Sequence, residues 1–76
     1  MGKTFQLKMG RNVVGRALHC NIVIPSANIS KEHTLIEVYN DKIIVSDMHS
    51  RNGTFINGVQ IKSHKLLPGE RISFFD

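Results

Sequence analysis

Apolar residues recur at every second position in short runs along most of this chain, with turn-forming residues between the runs. The alternating positions are Phe5, Leu7 and Met9; Ile22 and Ile24; Thr34, Ile36 and Val38; Ile43 and Val45; Val59 and Ile61; and Ile72 and Phe74. A period of two is that of a β-strand, whose side chains point alternately to opposite faces of a sheet. No stretch keeps a helical period over the roughly ten residues that a stable helix needs. The pattern therefore predicts an all-β fold, either a sandwich or a barrel.

Residues suited to tight turns separate the predicted strands. They are Gly10, Pro25-Ser26, Asn40-Asp41, the segment from Ser50 to Gly53, Asn57-Gly58 and Pro68-Gly69. Asn57-Gly58 predicts a type I′ hairpin, because both central residues of that turn need positive φ. Strands are predicted at both ends, one from almost residue 1 and one over residues 71–75 with no following partner. We therefore expect a missing C-terminal strand and an open sheet edge, through which a homodimer could form.

Length and composition limit the kind of site that the chain can carry. Its 76 residues allow one domain over residues 1–76, which we interpret as a piece of a longer protein. So short a chain buries a modest fraction of its surface, which favours a surface site over an enclosed cavity. An apolar fraction of 41% and a charged fraction of 21% are those of a folded domain. The formal net charge of +4 favours an anionic partner.

The single cysteine and the absence of a long apolar run indicate the compartment. Cys20 has no second cysteine with which to form an internal disulfide, which favours a reducing, intracellular setting. We expect Cys20 to be a small buried residue rather than a nucleophile. No apolar run approaches the roughly 18 residues of a membrane-spanning helix, so no membrane association is predicted.

Three polar clusters are candidates for a binding site: Gly15-Arg16, the segment from Ser30 to His33, and the segment from Ser50 to Thr54. The planar guanidinium of Arg16 matches the geometry of a phosphate or a carboxylate. Ser30 offers a hydroxyl donor and Lys31 a point charge beside it. Taken singly, each feature is more typical of a solvated arginine or of a turn-forming serine next to a surface lysine than of a binding site.

The third cluster has the groups that an extended peptide needs. The amide of Asn52 can pair with the donor and acceptor of a peptide backbone, and Gly53 can adopt the positive φ of a tight loop. The alternative is an Asx turn that binds nothing. His33 is interpreted as a structural histidine. The other histidines lack the spacing of a zinc site, and one cysteine cannot supply a thiolate cluster, so neither metal nor cofactor is predicted.

Two other classes of function were weighed against a binding module. Asp47, Ser50 and His33 could form a hydrolase triad, yet no nucleophile elbow or glycine-rich oxyanion loop accompanies them, so an enzyme is not expected. The net charge leaves a small basic nucleic-acid-binding domain as the alternative. Against it, the aromatic residues lie mostly in strand patterns suited to a core, and no basic stacking platform is evident. A steep loss of oligonucleotide affinity with salt would support that alternative.

Taken in order, the clusters resemble a known family, the forkhead-associated (FHA) phosphopeptide-binding domain. The resemblance runs through Gly15-Arg16, Ser30 to His33, Ser50 to Thr54 and Asn57-Gly58, and extends to about Phe74. It implies a β-sandwich of two twisted, mainly antiparallel sheets with the ligand loops at one end. It also implies a module, not an enzyme, that binds phosphothreonine in an extended peptide and acts in phosphorylation-dependent assembly. In eukaryotes such domains often act in the nucleus, as in the DNA damage response, and in bacteria in kinase signalling.

The resemblance also implies a role for each site residue. Arg16 and Ser30 would bond the phosphate oxygens, Lys31 and Arg51 would flank them, and Asn52 would bond the peptide backbone. The loop scaffold would comprise Gly15, His33, Gly53 and Asn57, with His33 bridging the Ser30 loop to the loop near Asn52. Arg51 stands where many family members have a small Ser or Thr, and its charge would either strengthen phosphate binding or favour an acidic residue beyond the phosphothreonine.

Overall fold

The computed structural model describes residues 5–74, which form eight β-strands and contain no helix. The strands are β1 (Gly10–Gly15), β2 (Ile22–Val23), β3 (Thr34–Val38), β4 (Ile43–Asp47), β5 (Thr54–Ile56), β6 (Val59–Ile61), β7 (Ser63–Lys65) and β8 (Ile72–Ser73). The all-β prediction is confirmed. With no helix over residues 5–74, none is long and apolar enough to cross a membrane.

The strands form two sheets. One has five strands in the order β2-β1-β3-β4-β7, and the other has three in the order β6-β5-β8. Every pairing is antiparallel except that of β1 with β2, which is parallel. The predicted sandwich of mainly antiparallel sheets is therefore confirmed.

The core lies between the two sheets. Buried Val14, Ile22 and Ile36 project from the five-stranded sheet, and Ile72 and Phe74, at the end of the described chain, pack against them. Such a core follows from the alternation of the sequence, since every second residue of a strand points to the same face. Cys20 is 8% exposed and belongs to the buried set, as predicted.

The strand register brings three loops to one end of the sandwich. Val14 at the end of β1 is opposite Thr34 at the start of β3, and Thr34 is in turn opposite Asp47 at the end of β4. The loops that follow β1, precede β3 and follow β4 must therefore meet. The turn that joins β3 to β4 lies at the other end, where Val38 pairs with Ile43.

The β5–β6 hairpin has the predicted type I′ character. Asn57 has a φ of 49° and Gly58 a φ of 82°, and the turn joins the paired residues Ile56 and Val59. Asn57 has a second contact that the turn alone does not imply: its backbone N–H donates to the Arg71 carbonyl, and its Oδ1 accepts the Arg71 N–H, both at 2.9 Å. The hairpin is thereby attached to the segment that leads into β8.

The N-terminal strand was predicted from almost residue 1; residues 1–4 lie outside the described residues, and over Phe5 to Met9 the prediction is wrong. The residues from Phe5 to Met9 belong to no strand, and their apolar side chains are exposed, Met9 by 63%. The first strand begins only at Gly10, which has a φ of 87°. The reason is a local bond: the amide of buried Asn12 accepts the Lys8 N–H at 2.9 Å and donates to the Lys8 carbonyl at 2.8 Å. These backbone groups pair with a side chain instead of a neighbouring strand.

Other boundaries also differ from the prediction. β7 was not predicted, because Ser63–Lys65 has no apolar alternation; it forms through its backbone pairing with β4. The last strand was predicted over residues 71–75, but β8 is confined to Ile72–Ser73, and Phe75 lies outside the described residues.

The aromatic residues were expected mostly in the core, yet Phe5 and Tyr39 are exposed. Among residues 5–74, β8 pairs only with β5, so its other edge is open.

Candidate functional site

A cleft of about 580 Å³ opens among the three loops that meet at one end of the sandwich. Its lining residues are Arg16, His19, Ala27, Asn28, Ile29, Ser30, Lys31, Glu32 and Arg51. All four residues predicted to bind phosphate, namely Arg16, Ser30, Lys31 and Arg51, are therefore brought to one cavity. Three of them are cationic and exposed, and Ser30 is half-buried between them.

Arg16 is held in place by the Ser30 loop. Its backbone N–H donates to the Ser30 carbonyl at 3.0 Å, and its Nε–H donates to the Ile29 carbonyl at 3.1 Å. The Nε bond fixes the direction of the guanidinium. Within residues 5–74 no hydrogen bond occupies its terminal Nη groups, so the outer edge of the fork can meet an anion.

Gly15 is needed because two loops approach it closely. A Cβ at this position would overlap the Lys31 carbonyl group and lie 2.8 Å from the Cys20 Sγ. The same Lys31 carbonyl oxygen accepts hydrogen bonds from the Ala17 N–H and the Cys20 thiol, both at 3.1 Å. Burial raises the pKa of Cys20, so the thiol keeps the proton that it donates. Gly15 thus permits the contact that places Arg16 beside Ser30.

Hydrogen bonds to neighbouring loop residues fix the hydroxyl group of Ser30 and occupy its backbone N–H. The Ser30 Oγ accepts the Arg51 backbone N–H at 2.9 Å, while the Ser30 N–H donates to His33 Nδ1 at 3.0 Å. A hydroxyl that accepts through a lone pair still has its own hydrogen to donate. The group of Ser30 that is available to an anion is therefore the O–H.

His33 connects the Ser30 loop to the loop that follows β4. It is fully buried; its Nδ1 accepts the Ser30 N–H, and its Nε2–H donates to the Gly53 carbonyl at 2.7 Å. Both bonds are made by the neutral tautomer that has its proton on Nε2. The ring thus spans the two loops that line the cleft, which is the arrangement implied for it by the family resemblance.

Asn52 and Gly53 are the last two residues of the loop between β4 and β5. The Asn52 Nδ2 donates to the carbonyl of Asn28, a cleft-lining residue, at 2.7 Å, which orients the exposed amide although Asn52 itself does not line the cleft. Gly53 has a φ of 95°, a conformation that side-chain-bearing residues rarely adopt. One N–H of the Asn52 amide thus joins this loop to the Asn28 loop, and the amide retains further polar groups for a ligand.

Asp47, the last residue of β4, holds the loop from Met48 to Gly53 in shape through hydrogen bonds to its carboxylate. Asp47 was not assigned to the site from the sequence. Its carboxylate accepts hydrogen bonds from the Ser50 N–H at 3.0 Å, the Ser50 hydroxyl and the Thr54 hydroxyl at 2.7 Å. Thr54 also contacts buried Thr34 at 2.8 Å. Burial alone would raise the pKa of Asp47, but the bonds from Ser50 and Thr54 outweigh it and lower that pKa. The available signal was an aspartate three residues before Ser50, a spacing at which a carboxylate can accept a backbone N–H of the turn that follows it.

The hydrolase interpretation is excluded by these contacts. His33 uses both ring nitrogens on backbone groups of Ser30 and Gly53, and its hydrogen bonds reach neither Ser50 nor Asp47. The Ser50 hydroxyl donates to Asp47 and accepts the Gly53 N–H at 2.9 Å, so it supports the turn. The nucleophile, base and orienting acid of a triad are therefore not assembled.

Two further predictions concern Asn57, which was expected to support the loops, and the binding of a metal ion, which was not expected. Asn57 lies at the far end of β5, where it contacts Arg71, so its bonds stabilise the hairpin and not the cleft loops. Over residues 5–74 no group of three His, Cys, Asp or Glu side chains is placed to hold a metal ion.

Comparison with known proteins decides the family. The model of the FHA domain matches residues 12–75, which is most of the chain and includes the cleft. The chain belongs to the FHA family. FHA domains are phosphopeptide-binding modules and not enzymes.

Relatives of this FHA domain come from animals and bacteria. It is 40% identical over 68 residues to mediator of DNA damage checkpoint protein 1 of Mus musculus, covering 87% of this chain and 4% of the relative. It is 30% identical over 71 residues to the FHA domain-containing protein FhaA of Mycobacterium tuberculosis, covering 93% of this chain and 14% of the relative. The chain therefore spans a small part of these curated relatives.

Solved FHA structures have the same architecture. The FhaA FHA domain complexed with the intracellular domain of Rv3910 matches with a TM-score of 0.88 at 29% identity, covering 95% of this chain and 79% of that one. Mycobacterium tuberculosis EmbR in complex with a low-affinity phosphopeptide matches with a TM-score of 0.84 at 28% identity, covering 88% of this chain and 18% of that one.

Proposed function

We propose that this FHA domain binds phosphothreonine-containing protein segments through the loop cleft, and so mediates phosphorylation-dependent protein association. The observation that carries the proposal is the convergence of Arg16, Ser30, Lys31 and Arg51 on one open cavity. The complex of EmbR with a low-affinity phosphopeptide supports the same class of ligand.

The charges and donors of the cleft complement a phosphate group. Phosphothreonine carries about −1.5 to −2 charges and three acceptor oxygens. Arg16 supplies a fork of donors, Ser30 a directed O–H, and Lys31 and Arg51 further positive charge. Charge-assisted hydrogen bonds contribute about 1.5–3 kcal/mol each, so a few of them at an exposed site correspond to micromolar rather than nanomolar affinity.

The rest of the ligand is an extended peptide. Asn52 lies beside Ser30 through the Asn28 and Arg51 contacts, where its amide can pair with the peptide backbone next to the phosphothreonine. The charge of Arg51 favours an acidic ligand residue beyond the phosphothreonine. The residues that line the cleft include no Phe, Tyr or Trp on which a base could stack, which favours a peptide over a nucleic acid.

The decisive experiment measures peptide affinity for four proteins: wild type, Arg16→Ala, Ser30→Ala and the control Arg11→Ala. Arg11 is an exposed arginine of β1 whose pairing with Glu37 places it away from the cleft. An oriented phosphothreonine library, and then single phosphorylated and unphosphorylated peptides, serve as ligands. Loss of one charge-assisted bond should weaken phosphopeptide binding by about 10- to 150-fold for Arg16→Ala, while Arg11→Ala stays near wild type.

Thermal unfolding of the same variants separates binding from folding. The proposal is contradicted if correctly folded Arg16→Ala and Ser30→Ala both bind the phosphopeptide as wild type does, or if the unphosphorylated peptide binds equally well. A steep salt-dependent affinity for an oligonucleotide, with no phosphopeptide binding, would instead support the nucleic-acid alternative.

The wider setting is proposed from the relatives. One relative is named mediator of DNA damage checkpoint protein 1, and another is a bacterial FHA domain-containing protein. We propose an intracellular role for this FHA domain as part of a longer protein, in the nucleus if the source is eukaryotic. The open edge of β8 is also a candidate surface for pairing with a second copy.

A further inference from the structure

We propose that Glu32 is a specificity residue, which selects a ligand with a basic side chain close to the phosphothreonine. The inference rests on the proposed function. It concerns a residue to which the family motif assigns no role here: Glu32 lies between Lys31 and the buried His33.

Glu32 is the one carboxylate among the residues that line the cleft, where it accompanies Arg16, Lys31 and Arg51. Its Oε2 lies 2.7 Å from the Nε2 of His19, which also lines the cleft. Both side chains are open to solvent, with 49% of Glu32 and 65% of His19 exposed. The carboxylate is therefore accessible to a ligand that occupies the cleft.

A carboxylate in this position opposes phosphate binding unless a cation accompanies it. The phosphate and Glu32 have the same sign of charge, so Glu32 lowers the positive potential that the three cations create. The contact with His19 offsets this effect only weakly, because a polar contact between two exposed side chains contributes little. A lysine or arginine of the ligand offsets it more fully, since its charge accompanies the phosphate into the same cleft.

The contacts of Glu32 leave room for such a partner. Within residues 5–74 its Oε1 makes no hydrogen bond, and its one bond through Oε2 is to an exposed histidine. An ammonium or guanidinium can therefore add to Oε1 or replace His19 without breaking the fold. An acidic residue or a second phosphate at the same ligand position would meet repulsion. Selection arises from both effects, since specificity is a difference between two affinities.

The position is distinct from the acidic preference proposed for Arg51. Arg51 is attached to Ser30 through its backbone N–H, whereas Glu32 is attached to the β1–β2 loop through His19. The cleft thus has two charged contacts of opposite sign on different loops. A ligand that satisfies both has a basic residue at one position near the phosphothreonine and an acidic residue at another.

The experiment is a positional scan with phosphothreonine peptides in an alanine background, with Lys or Glu placed singly at each of the nearest positions on both sides. Affinities are measured for wild type, Glu32→Gln and Asp41→Asn. The control Asp41→Asn makes the same change of net charge, but in the β3–β4 turn at the opposite end of the sandwich. For wild type we expect one or two adjacent positions at which Lys binds about three- to tenfold more tightly than Glu.

At those positions the preference for Lys should fall to about onefold in Glu32→Gln and persist in Asp41→Asn. If no position shows a preference for Lys that depends on Glu32, the inference is wrong. If wild type binds phosphothreonine peptides but Glu32→Gln leaves its preference between Lys and Glu unchanged, only the specificity proposal fails. If no phosphopeptide binds wild type at any position, the proposed function itself fails.

Discussion

Asp47 determines the shape of the loop from Met48 to Gly53 although it does not line the cleft. It accepts three hydrogen bonds, from two groups of Ser50 and from Thr54, and the Ser50 hydroxyl in turn accepts the Gly53 N–H. Asn52 lies between Ser50 and Gly53, so its position depends on this one carboxylate. Asn52, the residue proposed to bind the peptide backbone, is thus oriented by a residue that lies outside the cleft lining.

Substitution Asp47→Asn should reduce the free energy of unfolding at neutral pH by about 1–3 kcal/mol, because an amide cannot accept all of these bonds. The lowered pKa of Asp47 sets the pH dependence. The stabilisation is present above the pKa of the unfolded carboxyl, about 3.9, and is lost as pH falls through the lower folded pKa. Urea unfolding at pH 7 and pH 3 should therefore show wild type and variant converging in acid. A difference that persists unchanged at pH 3 would contradict this assignment.

The elements differ in how far their sequences predicted them. β2, β3, β4, β6 and β8 were predicted from alternation and β5 from its hairpin turn, because alternation and turn residues are properties of neighbouring positions. β1 was not predicted: Gly10 was interpreted as a turn, and Gly10–Gly15 has no apolar alternation. The segment from Phe5 to Met9 alternates just as clearly, yet the buried amide of Asn12 takes its backbone bonds at Lys8. β7 shows the converse, since a polar segment becomes a strand when β4 provides the backbone partner.

Gly15→Ala tests whether the end of β1 must approach the Ser30 loop closely. The added methyl would overlap the Lys31 carbonyl group, so we expect a loss of about 1–3 kcal/mol of stability and weaker phosphopeptide binding. Gly58→Ala is the control: it strains a φ of 82° in the hairpin, but its Cβ meets no atom within 4 Å. Chemical denaturation and peptide titration of both variants separate the two effects. Equal affinities for the two variants would show that the contact does not position Arg16.

Over residues 5–74 the domain presents a positively charged cleft at one end and an open edge at β8 of the smaller sheet. An open strand edge has backbone groups that can pair with another chain. The proposed pairing of two copies would therefore use a sheet edge rather than any single loop.

Light scattering coupled to size exclusion should show a mass that rises from monomer toward dimer with concentration. A lysine on an edge strand opposes such pairing, so Ser73→Lys in β8 should shift the equilibrium to monomer. The matched control, Ser63→Lys, is an exposed serine of β7 at the edge of the other sheet and should leave the mass unchanged. A wild-type monomer at high concentration would count against pairing through this edge.

By itself the sequence determined the all-β class, most strands, the type I′ hairpin and the set of candidate residues, because periodicity, turn preference and motif order are encoded locally. Only the tertiary structure decided which candidates meet. The register of β1, β3 and β4 brings Arg16, Ser30 and Arg51 to one cleft, whereas Asn57 lies beyond β5. The tertiary structure also joined Asp47 to the loop through Ser50 and placed Glu32 in the cleft. Such contacts depend on strand pairing and close packing between distant segments, which no local pattern specifies.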